Sequence, residues 1–398
     1  VEKRKHKHDT TMRIKNILKV IPAFGLMVAL SSCTSWLTVD PVDQILEDQV
    51  YKSEGVINMA VNGMYLKMAT ENIYGAELTI NMVETLGQVY FVSGASQNAN
   101  KERYYASVYD YTEEKVKDKI EDIWNESYNL ILNINLFIKK MSATEGVVSK
   151  EKKNILLGEA YALRAYMHFD LLRLFGPVYA NDPTLLSIPY YTLPEANPHN
   201  RKPANEVVDD ILGDINTALE LLENDPIVTG TNLGEFYSYR NRRMNYYAVY
   251  ALKLRVMFYA AGNDAAKKKE VGDLAYTFAY SDAMNTAFPW TTNAEVYDQD
   301  APDRISSNEV MFGIEVPMMY SWWLSYFSQS VSSQQVIYAM NRSNVVYMFD
   351  DNANFQTMTD YRASNWRSWK MSEYICTDKF SRPSDENAHF LYLQPLMR

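Results

Sequence analysis

The chain has 398 residues, with 39 Lys and Arg against 49 Asp and Glu, for a formal net charge of −10. A charged fraction of 22% and a hydrophobic fraction of 47% describe a folded globular protein without a large disordered block. The acidic balance argues against nucleic acid or an anionic lipid surface as a partner, since both would repel it. Thirty Tyr and seven Trp are more than a core usually needs, and such rings can stack on flat ligand faces.

The N-terminus reads as a targeting segment. Lys3, Arg4, Lys5, Lys7, Arg13, Lys15 and Lys19 form a positive region, and an apolar run from Val20 to Leu30 follows, too short to span a bilayer. Leu30-Ser31-Ser32-Cys33 resembles the bacterial lipobox, in which the Cys is acylated and becomes the mature N-terminus. With Met12 as the start, residues 12–32 are expected to be a lipoprotein signal peptide and Cys33 a lipid anchor; the alternative is a plain secretory signal with a coincidental Cys. Each acyl methylene would contribute about 0.8 kcal/mol of membrane affinity. Loss of residues 1–32 would leave a net charge of −15 and, with Cys33 acylated, only Cys376 as a thiol, a small packed residue incapable of an intrachain disulfide.

Along the chain, Ile57, Ala60, Val61, Met64 and Tyr65 mark one side of a first helix. Residues 70–111 read as irregular, with Tyr74, Tyr90, Phe91, Tyr104, Tyr105, Tyr109 and Tyr111 among polar residues: either a surface loop whose rings fold back, or a ligand-stacking loop. A long helix over 112–141 carries Trp124, Tyr128, Ile131 and Asn135 on one face. Residues 154–178 then show two apolar stripes, Leu156, Ala160, Leu163, Met167, Leu171 and Leu174 beside Gly158, Ala162, Ala165, Phe169 and Leu172. Two stripes predict a helix covered on two sides, with Gly158, Ala162 and Ala165 admitting a close neighbour and Gly176-Pro177 stopping it. Past the Pro-rich connection 176–203, helices are expected over 204–223, 242–261 and 265–280. Beyond Phe288 helical periodicity fades into aromatics and turn residues.

The run EAYALRAYMHFDLLRLFGPV resembles the signature helix of the SusD/RagB family through Arg164, Ala165, Phe169, Asp170, Leu171, Arg173, Phe175, Gly176 and Val178. Independent resemblances are the opening Cys33, Leu37 and Pro41 with Asn62, Gly63 and Tyr65, the Trp124–Asn135 face, and the strand Asn308-Glu309-Val310-Met311-Phe312. The final QPLMR resembles the start of a further family helix, which would begin at Arg398, so the chain is expected to be C-terminally truncated. The resemblance implies a mainly α fold over 33–398: irregular tetratricopeptide-like helical hairpins over 33–285 and a loop-rich, aromatic-rich part over 286–398.

Catalysis finds little support in the residues. His168, His199 and His389 are the histidines beyond Cys33, and no HExxH, CxxC, GxSxG or phosphate-loop pattern occurs. Glu113-Glu114, Asp209-Asp210 and Asp350-Asp351 read as solvated pairs, because glycoside hydrolysis needs carboxyls opposed across a cleft. Asp298, Asp300 and Asp303 lack the Gly and terminal Glu of a calcium loop. No enzyme activity, cofactor or metal is expected. Binding is better served: sugars stack their CH faces on Trp and Tyr. The candidates are Trp322 and Trp323, with Trp290, Tyr90 and Phe91 secondary; Trp322 and Trp323 equally suit a core or a protein contact, and a strand would turn at most one of them to a ligand. The resemblance implies a lipid-anchored outer-membrane protein at the cell surface that captures oligosaccharides for a SusC-like TonB-dependent transporter, acting as its lid. Rival expectations are a RagB-like peptide-binding lid, a structural transporter subunit, and a glycoside hydrolase.

Overall fold

In the computed structural model, which describes residues 51–94, 96–195, 197–341, 343–345, 366–368, 370, 374–381 and 392–397, the central helix has both apolar stripes buried almost throughout. The N-terminal segment with Cys33 lies outside the described residues. Helices follow in chain order as α1 Glu54–Met68, α2 Met82–Leu86, α3 Lys101–Ser107, α4 Glu114–Ala143, α5 Lys150–Phe175, α6 Ala204–Leu221, α7 Tyr246–Ala260, α8 Ala265–Ala279 and α9 Asp282–Ala287. The central helix α5 lies between α4 and α6, α6 packs on α7, and α7 on α8, so sequence order is spatial order. This is the mainly α, irregular-hairpin architecture that the patterning predicts.

Local chemistry sets the bounds of α5. Ser149 caps its start by accepting from the Lys152 N–H, and the Gly176 N–H closes its end on the Leu172 carbonyl at 2.9 Å. A Cβ at Gly176 would stand 2.4 Å from the Leu172 carbonyl oxygen. At Gly158 a Cβ would come within 2.6 Å of Leu222 Cγ and 3.3 Å of the Ala218 carbonyl, the close approach expected of this stripe. Leu156, Leu163, Leu171 and Leu172 are each at most 2% exposed, and each contributes roughly 1.5–3 kcal/mol by burial.

Three buried polar networks fasten α5 to its neighbours. In the first, Arg240 grips Asp225 through Nε and Nη2, both at 2.8 Å, and pairs with Glu159 of α5. Glu159 also accepts from the Tyr65 hydroxyl of α1 at 2.9 Å and from Arg243 at 3.2 Å. Those cations hold its carboxyl below the usual range despite burial. In the second, Arg164 grips Asp214 of α6 through two 2.6 Å bonds and donates to Asn135 of α4 at 2.9 Å. In the third, the family-like Asp170 accepts from the Tyr74 hydroxyl at 2.6 Å and pairs with Arg173.

The connection between α5 and α6 doubles back, with the Ser187 N–H on the Lys202 carbonyl at 2.8 Å and the Lys202 N–H on the Ile188 carbonyl at 3.1 Å. Its residues 188–193 form a strap over α4. Tyr128 donates to the Pro189 carbonyl at 3.0 Å, Asn135 to the Tyr191 carbonyl at 3.0 Å, and the Tyr191 N–H to His168 Nε2 at 3.1 Å.

After α9 the strands are short. β1 Val310–Glu315 pairs antiparallel with β5 Tyr392–Met397, while β2 Met340–Asn341, β3 Trp366–Ser368 and β4 Tyr374–Thr377 form a sheet of order β2-β4-β3. The family-like strand begins at Val310, after a 3-10 turn over Ser307–Glu309. The QPLM residues lie in β5, and Arg398 is outside the described residues. Two expectations need correction. Residues 70–111 are a succession of short helical turns, including Ser96–Ala99 within the polar run that reads as loop. Trp322 and Trp323 lie on no strand: a helical turn Met319–Trp322 runs into a π-turn Trp323–Phe327. Pro317 stands just ahead of that turn, where its fixed φ suits a helix start.

Candidate functional site

Tyr90, Phe91 and Trp323 lie along an aromatic seam built from three segments distant in sequence, residues 90–91, 320–338 and 374–377. Tyr90 stacks on Tyr338 with centroids 5.1 Å apart, and Tyr326, over a third exposed, also stacks on Tyr338 at 5.1 Å. Phe91 stacks on Tyr374 of β4 at 4.7 Å, and its N–H donates to the Ala339 carbonyl at 2.8 Å. Trp323 stacks on Tyr320 at 5.7 Å while its indole N–H donates to the Thr377 carbonyl at 2.8 Å. Trp322, half-buried, precedes it in the same helical turn, beside exposed Ser321 and Ser325.

Two residues the sequence reading passed over hold the seam together. Arg103 of α3 is 2% exposed, donates to the Ile337 carbonyl at 2.7 Å and the Phe91 carbonyl at 3.2 Å, and lies 4.1 Å from the Tyr338 ring centroid. Burial pushes its guanidinium down to about 10, and the facing tyrosines work against that shift. Tyr338 donates to Asn81 Oδ1 at 2.7 Å, and Asn81 Nδ2 reaches both oxygens of Glu77 at 2.8 and 3.0 Å. Glu77 is 1% exposed; burial pushes its carboxyl up to about 7 against the pull of Lys119 Nζ at 3.4 Å. Neither Arg103 nor Glu77 sits in a pattern that marks it as buried. Tyr338, within the apolar run Val336–Met340, was the one available signal.

Trp290 belongs elsewhere. It packs beside Tyr280, 5.9 Å between centroids, with Tyr276 a further 4.6 Å along, and all three rings are exposed. The remaining reactive groups are engaged in packing. His168 is fully buried; its Nδ1–H donates to the Arg164 carbonyl at 2.9 Å, and burial pushes its pKa down to about 3, so the ring is neutral. Burial pushes the Cys376 thiol up to about 12. The carboxylates of Asp298 and Asp303 accept from backbone N–H groups of their own loop. Among the described residues, no cluster of three His, Cys, Asp or Glu could hold a metal ion. Stacked rings next to hydroxyls and amides suit a polyhydroxylated ligand.

A SusD-like family model, described as starch-binding associating with outer membrane, matches residues 35–256. Among curated relatives, SusD-like protein P2 of Formosa agariphila is 24% identical over 199 residues, covering 50% of this chain and 36% of the relative. SusD-like protein P38 of the same organism is 27% identical over 215 residues, covering 52% and 37%. The matches thus span about a third of the length of these curated relatives. Similar solved structures include a SusD superfamily protein from Bacteroides thetaiotaomicron (TM-score 0.61, 17% identity, 87% of this chain and 73% of the other). Another is a putative sugar binding protein from Bacteroides vulgatus (TM-score 0.59, 19% identity, 87% and 71%). At these identities the structures establish the fold.

Proposed function

The chain belongs to the SusD-like family of starch-binding proteins that associate with the outer membrane, and from that premise we propose that it captures oligosaccharides on the aromatic seam and passes them to a SusC-like TonB-dependent transporter. Cys33 is the proposed lipid anchor, holding the protein on the outer face of the outer membrane. The proposed role is binding and hand-over without a catalytic step. The observation that carries the reading is the stack of Tyr90, Tyr338 and Tyr326, with the Phe91–Tyr374 and Tyr320–Trp323 pairs both tied to β4. Residues 90–91, 320–338 and 374–377 supply these rings, with Tyr326 exposed and Tyr338 buried beneath it. Stacking offers sugar CH faces a desolvated partner, and neighbouring hydroxyls and amides can take the sugar hydroxyls.

The test is binding of a soluble form starting after Cys33 to a panel of polysaccharides and peptides, alongside Trp322→Ala and Trp323→Ala. Saturable binding to one glycan, weakened by either substitution, supports capture on the seam. Saturable binding to peptides in place of glycans would make the protein a peptide-binding lid. A folded protein that binds neither, yet co-purifies with the transporter, would be a structural subunit.

A further inference from the structure

A second concavity lies away from the seam, between α4 and the strap over it. Its cavity of about 290 Å³ is lined by Trp124, Asn125, Tyr128 and Asn129 from α4 and by Tyr191 and Glu195 from the connection, among others. The rings form a continuous wall, with Trp124 4.7 Å from Tyr128 and Tyr128 5.4 Å from Tyr191. Each ring is fixed from behind: Trp124 sits edge-on to Phe175, Tyr128 is tied to the strap by its hydroxyl, and Tyr191 stacks on His199 at 4.3 Å. The wall is therefore preorganised, and no side chain has to be ordered before a ligand can use it.

The Tyr128 hydroxyl and Asn135 are taken up by the strap and Arg164, but three other polar side chains at this wall keep hydrogen-bonding capacity among the described residues. The exposed Asn125 amide has no hydrogen-bond partner among the described residues. Asn129 accepts from Asn133 through Oδ1, and its Nδ2 donors have no partner among the described residues. Glu195 engages His199 through one carboxylate oxygen, and the other has no partner among the described residues. None of the lining residues is Lys or Arg, so an anion would meet only the Glu195 carboxylate. The volume sits near the lower end of the roughly 300–1,000 Å³ typical of small-molecule sites and is too small for a helix or a folded partner. Apolar ring faces, uncharged amides and one acceptor carboxylate together suit a neutral ligand with hydroxyls around an apolar face.

We propose that this groove is a second carbohydrate site, which binds one or two units of a short neutral hexose oligomer against Trp124 and Tyr191. The proposal rests on the sugar-binding reading of the protein but not on the seam being the place where sugar binds. The test is fluorine NMR of 5-fluorotryptophan-labelled protein, starting after Cys33, with its tryptophans assigned by single Trp→Phe variants. The probes are maltotriose, cellotriose, mannotriose and galactotriose. The expected result is a saturable shift of the Trp124 resonance with at least one of them. Asn125→Ala with Asn129→Ala, both at exposed positions, should weaken that shift about tenfold, the worth of one or two hydrogen bonds. Shifts at Trp322 or Trp323 with Trp124 unmoved overturn the groove and leave the seam standing. A shift at Trp124 alone does the reverse. A Trp124 shift indifferent to the two substitutions, or no shift with any of the four sugars, also overturns the groove.

Discussion

The helical part and the seam are held together by different means. In the helical part α5 is the common member of the buried polar contacts, with ion pairs to Asp214 of α6 and to Arg240 and Arg243 of the loop before α7, and hydrogen bonds to Tyr65, Asn135 and Tyr74. Glu159, Arg164 and Asp170 each carry a network out of it. The seam relies on stacked rings, one buried cation and bonds to backbone carbonyls, and it draws on segments that share no helix. The first arrangement punishes the loss of a single partner heavily, because a stranded charge remains inside. The second spreads its energy over many modest contacts and leaves rings partly exposed. Stability is thus concentrated around α5, while the exposed aromatic surface lies where single substitutions are cheap.

The contrast can be pressed hardest at Arg240. Arg240→Ala strands Asp225 and leaves Glu159 with Arg243 as its only cation, and should cost about 3–5 kcal/mol in urea unfolding. A cost below 1 kcal/mol would mean the network is not the anchor of the helical part. Acidity tests the join between the two regions. Glu77 takes up its proton more readily folded, near pH 7, than unfolded, near 4.5, so its contribution is full below 4.5 and is lost as pH rises through 7, on the order of 3 kcal/mol in all. His168 has the opposite sign: its folded value of about 3 lies below the ordinary value, so stability is lost as pH falls below about 6.5. A stability optimum on the acid side of neutrality is expected, and Glu77→Gln should abolish the loss on the alkaline side. An unchanged alkaline limb in that variant would remove Glu77 from the account.

Smaller effects sharpen the same contrast. Gly158→Val forces a side chain against Leu222 and the Ala218 carbonyl and should cost about 1–3 kcal/mol, readable as a lowered urea midpoint. Trp323→Phe keeps a ring against Tyr320 but drops the bond to the Thr377 carbonyl, for about 1 kcal/mol. If the Trp323 variant proved the more costly of these two, the seam would be as tightly packed as the helices.

How much of this was legible in the sequence follows from the range of each signal. The double stripe of α5, its stop at Gly176 and the closeness at Gly158 are local and were readable from spacing. Arg164, Asp170, Arg173 and Asn135 are readable as a family pattern, but Glu159 and the partner Asp214 are not: Arg164 meets Asp214 from another helix, and no spacing rule links the two. In the seam, aromatic density pointed to Tyr90, Phe91, Trp322 and Trp323, yet Arg103 stands in a short polar helix and reads as surface. On a strand at most one of Trp322 and Trp323 would face a ligand; they lie instead in a helical turn and the π-turn that follows it, which the sequence pattern does not signal. Trp290 was grouped with the others by residue type alone and lies with Tyr276 and Tyr280.

The most direct test of sugar capture on the seam is amide hydrogen exchange with and without a saturating glycan from the binding panel. The account predicts slowed exchange over residues 89–103 and 320–340, with the buried α5 amides unchanged. Unaltered exchange over both seam segments at saturation would contradict it.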